Sequence, residues 1–308
     1  LSNTLLASVR STLMWRGARV DAARSSEADR ALVASDDDRA PGRSSEPRVV
    51  MDLPDRLVMA KPPGWEVYST GAGGLDHQLL AFSRAMSADR GPILSDVAHY
   101  HGFLHRLDVP SSGLVLMAKT YTAFYDLQLQ LSVGALVRDY LLLCHGWAPP
   151  GRCEISARVQ TDAGPSLRQV SWRGKPAGTR VKVLAHTQHR GASFSLGAIR
   201  IKTGRTHQIR IHTAHIAHPT VCDGRYTAHA TFKSDVSWCP RNFLHRNRLA
   251  FLDVGGATAE ASVPLPEDLV EVLKQLSPRG SRSAAAMDRW SHHKGPASWD
   301  NQVVLSGA

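Results

Sequence analysis

The stretch that most restricts the fold is Leu114-Val115-Leu116-Met117-Ala118, an unbroken apolar run. It is fed by His105-Arg106-Leu107-Asp108 and a Val109-Pro110-Ser111-Ser112-Gly113 turn. A short continuous apolar run behind a turn signal reads as a strand buried on both faces. Asp108 then stands at the mouth of a sheet, where a carboxylate can face a cleft. An aspartate that merely caps its own turn fits the same residues.

Around this strand the chain alternates unevenly between strands and helices. Residues 58–61 read as a strand that stops at Pro62-Pro63-Gly64. Phe124, Leu127 and Leu131 recur at helical spacing, and Gly134 closes that helix. Residues 137–144, 194–202 and 243–252 read as further strands. Thr206 is expected to cap a helix that buries Ile209 and Ile216 and ends at His218-Pro219. Pro266-Glu267-Asp268 opens a last helix with Leu269, Val270, Leu273 and Leu276 turned inward. Strands outnumber helices without strict alternation, which favours α+β over a doubly wound parallel sheet.

Residues 1–48 lack aromatic periodicity beyond Trp15 and hold Asp36-Asp37-Asp38, so a disordered or targeting segment is expected there. The folded body is expected over 49–276. A disordered tail of Ser, Arg, Gly and Ala with isolated Trp290 and Trp299 is expected over 277–308. The formal net charge is +10. Residues 1–50 carry 8 Lys/Arg against 7 Asp/Glu, and 277–308 carry 4 against 2, which leaves 25 against 18 between them. The excess therefore sits on the body, as expected of a polyanion partner, most often nucleic acid. Four cysteines without a CxxC read as reduced thiols. No apolar run reaches the roughly 18 residues of a membrane helix. Arg10, Arg16 and Arg19, interleaved with serines and apolar residues and free of acids, resemble an organellar transit peptide; a frayed tail fits them equally. The expected location is cytoplasm or nucleus, with mitochondrion or plastid as the alternative.

Two further segments carry candidate chemistry. In Thr203-Gly204-Arg205-Thr206-His207-Gln208-Ile209-Arg210-Ile211-His212 a strand ends, an arginine follows and a helix begins, a setting that attracts anions. A solvated arginine at a helix start fits as well. Tyr140 lies in the 137–143 strand, where a tyrosine alone is more often structural. His207, His212, His215 and His218 cluster, yet no intervening Glu and no HExxH supports a metal hydrolase.

Taken together, the segments resemble the RluA-type pseudouridine synthases. The resemblance rests on KPPGW at 61–65, HRLDVPSSGLVLMAKT at 105–120, GRTHQIRIHTAHIAHPTVCDGRY at 204–226 and LHRNRL at 244–249. These ordered motifs cover roughly residues 55–276. Departures are Val-Pro-Ser-Ser after Asp108, Cys222 before Asp223, and Arg138 two residues before Tyr140. The resemblance implies a pseudouridine synthase fold: a mixed, mainly antiparallel sheet in two subdomains flanked by helices, with a central cleft.

It also implies the reaction. The bond from ribose C1′ to uracil N1 breaks, the base turns, and it rejoins through C5, with no redox change and hence no cofactor. One carboxylate beside C1′ suffices: it can stabilise the positive carbon, add to it covalently, or remove a ribose proton. By resemblance, Asp108 is that catalytic group, Arg205 pairs with it, and Tyr140 stacks on the uracil and helps remove the C5 proton. Arg106 fills the gap left by the flipped base, and Lys61 and Arg210 hold phosphates. The implied partner is RNA, ribosomal or transfer; no obligate protein partner is evident, and a monomer is expected. The rival reading is a catalytically idle RNA-binding protein or RNA chaperone of the same fold.

Overall fold

A computed structural model describes residues 46–68, 78–86, 91–161, 168–292 and 298–305. The leader and nearly all of the expected 1–48 segment lie outside the described residues. The strands are β1 (Arg48–Asp52), β2 (Arg56–Lys61), β3 (Ser112–Ala118), β4 (Val137–His145), β5 (Glu154–Ser156), β6 (Val159–Gln160), β7 (Gln169–Val170), β8 (Gly178–His189), β9 (Ala192–Ile201), β10 (Leu244–Leu252), β11 (Thr258–Ser262) and β12 (Ser277–Pro278). One sheet runs in the order β1-β2-β3-β10-β4-β9-β8-β12, with β11 joined to β10 and β5 to β8; β6 and β7 pair separately. Its pairings are antiparallel except β10 with β3, which runs parallel and sets Arg246 opposite Gly113. This is the mixed, mostly antiparallel α+β arrangement expected from the sequence.

That one parallel pair positions the site. It brings the turn ahead of β3 beside the middle of β10, and β10 pairs in turn with β4. Strand alternation does the rest. Tyr140 and Leu142 join one apolar cluster with the whole of 114–118, while Leu141 and Leu143 join a second cluster with Leu196, Leu269 and Trp290. The centre of the sheet is thus covered on both faces.

The helices are α1 (Gln78–Met86), α2 (Tyr121–Val133), α3 (Gln208–His215), α4 (His229–Val236), α5 (Glu267–Lys274) and α6 (Gly280–Ser291). In α2 the Thr120 hydroxyl accepts the Ala123 N–H, and Gly134 at φ 77° closes the last turn as expected. Two expectations need correction. Thr206 does not cap α3: the helix starts at Gln208 after His207 in a left-handed conformation, with no side-chain cap. The Gln208 amide oxygen instead accepts from the Arg205 backbone N–H and the Thr203 hydroxyl, tying the turn to the helix from inside.

The expected disordered tail is the second. Residues 280–291 form α6, which turns Ser283, Met287 and Trp290 inward at helical spacing. Trp299 is buried under Arg180, Lys182 and Arg200, whose charged ends lie 5.6, 5.0 and 5.0 Å from its ring centre. The Leu305 N–H then donates to the Val183 carbonyl at 2.9 Å. Apolar burial of two tryptophans outweighs the polar composition that suggested disorder.

Candidate active site

A cavity of about 500 Å³ opens between the turn ahead of β3, β4, β10 and the start of α3. Asp108 reaches it from a turn that the Ser111 N–H closes onto the Asp108 carbonyl at 3.0 Å. The Asp108 side chain is 18% exposed, whereas Arg210 beside it is 2% exposed. Arg210 Nη1 donates to Asp108 Oδ2 at 3.0 Å. Its Nε and Nη2 donate to the two oxygens of Asp223, both at 2.7 Å. Asp223, fully buried, also accepts from the Thr220 hydroxyl and from the backbone N–H of Arg225 and Tyr226. Arg210 is therefore fixed by a bidentate partner, and it fixes Asp108 in turn.

The charges follow from these contacts. Burial pushes the Asp108 carboxyl up, but His207, the Arg210 guanidinium and its hydrogen bond, and Arg106 outweigh it and hold the group at about 2. His207 Nε2 lies 3.7 Å from Asp108 Oδ1. Burial drives His207 down to about 4, against the opposing pull of Asp108 and with the push of Arg210. At neutral pH His207 is uncharged, which leaves Arg210 and, after it, Arg106 as the cations that keep Asp108 ionised.

The inner wall belongs to β4 and β10. Tyr140 is buried, and its hydroxyl accepts a hydrogen bond from Arg246 Nη2. Arg246 Nη1 donates to His105 Nδ1 at 2.7 Å and to the Leu114 carbonyl at 2.9 Å. Burial, then Arg246 and Arg138, lower His105 well below its ordinary value, so its ring is neutral and accepts.

Of the residues singled out in the sequence, Asp108, Tyr140, Arg205, Arg106 and Arg210 line this cavity. Three of the expected roles change. Arg205 does not pair with Asp108: its Nε donates to the Pro176 carbonyl at 3.2 Å, because it precedes α3 and its side chain runs outward along the turn. Arg210, on the inner face of the first helical turn, takes that place and is too buried to hold a backbone phosphate. Lys61 does not face RNA either. Its Nζ is buried and donates to the carbonyls of Pro62, Trp65 and Val109, stapling the KPPGW turn to the loop after Asp108. Burial, then Arg241, lowers its ammonium well below the usual lysine value. Arg106 is exposed at the rim.

Asp223, His207, Arg138 and Arg246 had no assigned role in the sequence reading. Asp223, His207 and Arg246 lie inside quoted motifs and Arg138 stands two residues before Tyr140, and the signal for Arg246 is alternation: two residues after Leu244, it shares that residue's face. Among the described residues no group of three or more His, Cys, Asp or Glu could hold a metal ion. His212 sits between the Thr179 hydroxyl and the Ala157 carbonyl, and His218 bonds the His145 carbonyl. None of Cys144, Cys153, Cys222 and Cys239 is joined in a disulfide.

Residues 55–215 match the family described as RNA pseudouridylate synthase. The ribosomal large subunit pseudouridine synthase C of Escherichia coli (strain K12) is 32% identical over 228 residues, covering 71% of this chain and 67% of that protein. Synthase D of Haemophilus influenzae is 31% identical over 237 residues, 74% and 70% of the two chains. Among solved structures, human RNA pseudouridylate synthase domain containing 1 superposes with a TM-score of 0.61 at 22% identity, over 81% of this chain and 96% of that one, which is a likeness of fold.

Proposed function

Since this chain belongs to the RluA-type family of RNA pseudouridine synthases, we propose that Asp108 is the carboxylate with which it isomerises uridine, and that large-subunit ribosomal RNA is its substrate. The observation that carries the catalytic assignment is an ionised Asp108 at a concave site, aimed by an arginine that is itself anchored on a buried aspartate. Preorganised charge of this kind needs no rearrangement as positive character grows at ribose C1′. The cavity volume falls within the roughly 300–1,000 Å³ of small-ligand sites.

In this reading the target uridine is flipped out of the stack, at a cost of roughly a few kcal/mol. Exposed Arg106 fills the vacated space, and half-buried Arg205 meets the backbone at the rim. Tyr140 lies against the base, and after C5 has joined C1′ it helps remove the C5 proton. The ribosomal assignment follows the printed names of the Escherichia coli and Haemophilus influenzae relatives, and the positive excess of the body suits a polyanion.

Mapping pseudouridines across total RNA tests both parts. Cells lacking the gene should miss one or more pseudouridines in large-subunit ribosomal RNA, restored by the wild-type gene and not by one carrying Asp108→Ala. Loss confined to transfer RNA would refute the substrate, and restoration by the Asp108→Ala gene would refute the catalytic role.

A further inference from the structure

Arg138 and Arg246 are buried, 1% and 2% exposed, and both line the cavity that holds Asp108. Neither meets a carboxylate among the described residues. Arg138 Nη2 donates to the carbonyls of Ile201 and Lys202 at 3.4 and 3.2 Å. Arg246 donates to His105, the Leu114 carbonyl and Tyr140. The Nε of each is buried with no partner. Other buried arginines of this protein are neutralised: Arg210 by Asp108 and Asp223, Arg248 by Asp139 and Glu260, Arg241 by Asp268. A buried cation without a counter-ion is costly, and two close together cost more. Burial, only partly relieved by Tyr140 and aggravated by Arg246, pulls even the Arg138 guanidinium down to about 10.

Resting on the reading above, we propose that Arg138 and Arg246 form a binding site for the uracil anion released when the glycosidic bond breaks. The N1–C1′ electron pair leaves with the base and spreads over N1, O2 and O4, while C1′ becomes electron-poor. Asp108 meets the positive carbon, and the two guanidiniums meet the negative base. When C5 attacks C1′, that negative charge is discharged: the C5 proton leaves and N1 takes up a proton. The two cations are thus neutralised only while the base is detached, so they favour the transition state over bound uridine. Tyr140 lies between them in the same wall, two residues after Arg138 on one face of β4 and hydrogen-bonded to Arg246. A phosphate of the RNA backbone is the rival occupant of such a site.

Single-turnover tritium release from RNA labelled at uridine C5 separates these cases. Arg138→Met and Arg246→Met should each slow the step about 100-fold, the scale of removing one oxyanion donor, while the RNA half-saturation concentration moves less than about three-fold. Arg246→Lys should recover at least ten-fold of its loss, because charge rather than shape is needed. In a Tyr140→Phe background, Arg246→Met should slow release further, since the cation acts on the base and not only through the phenol. Met variants within about three-fold of wild type would overturn the proposal. So would a loss seen mainly in half-saturation with a weaker salt dependence, which marks a phosphate contact. If Arg246→Met fails to fold, Arg246→Lys and Arg138→Met carry the same comparison. Wild-type protein that releases no tritium at all would instead refute the isomerase reading itself.

Discussion

Arg210 and Arg205 lie five residues apart in one motif, and the helix start between them decides their fates. Arg210 faces inward from the first turn and is shared by Asp108 and Asp223; Arg205 faces out toward the Pro176 carbonyl. Breaking a buried pair from one side costs about 3–5 kcal/mol because the abandoned charge stays buried. Arg210→Met should therefore lower unfolding stability by about that amount and reduce turnover at least 1,000-fold, whereas Arg205→Ala should cost less than about ten-fold in turnover. Denaturant titration and steady-state tritium release check both, and equal losses in the two variants would contradict the geometry. The family resemblance implied Arg205 as the partner of Asp108, and the structure gives that place to Arg210. The sequence did not show which arginine it is, because that depends on the left-handed His207 and on the Gln208 side chain that together set where the helix begins.

At the scale of elements, β2, β3, β4, β9 and β10 were readable because their apolar runs are uninterrupted, as at 114–118, or bounded by glycine and proline, whereas β8, which carries Arg180, Lys182, His186 and Gln188, was not. The tail from 277 was not readable either, because α6 turns only Ser283, Met287 and Trp290 inward among serines, alanines and arginines, and Trp299, part of the second apolar cluster, is also covered by three cations. Truncation after Leu276 would uncover the second apolar cluster. It should lower the melting temperature by at least about 10 °C or prevent folding, whereas a disordered tail would leave it unchanged. The parallel contact of β3 with β10 is equally demanding. Gly113 sits at φ +120°, and a Cβ there would stand 2.2 Å from the Arg246 carbonyl oxygen. Gly113→Ala should cost about 3 kcal/mol of stability, from backbone strain and overpacking together, and a denaturation midpoint like the wild type would show that the two strands separate easily.

The whole molecule keeps several buried histidines neutral. Burial is the first cause in each: His207 is held at about 4, His245 at about 3, and His105 and His212 below their ordinary value. In the unfolded chain these rings bind protons near pH 6.5, so between pH 6.5 and 4 the unfolded state holds more protons than the native one. Stability is complete above about 6.5 and falls as pH drops through that window, by on the order of 3 kcal/mol for His207 alone. Asp108, held at about 2, stays ionised throughout and adds its own loss only below about pH 4. Chemical denaturation at pH 7.5 and 4.5 should show a lower midpoint at acid pH, with a smaller drop in His207→Gln; equal drops would mean that His207 does not titrate this way. The chemistry joins the same groups to RNA, and one experiment addresses it most directly. RNA labelled with tritium at uridine C5 is incubated with wild-type protein and with Asp108→Asn, with RNA binding measured alongside. Tritium should be released by the wild type and not by the variant, although both bind the RNA; release at the wild-type rate from Asp108→Asn would contradict the account.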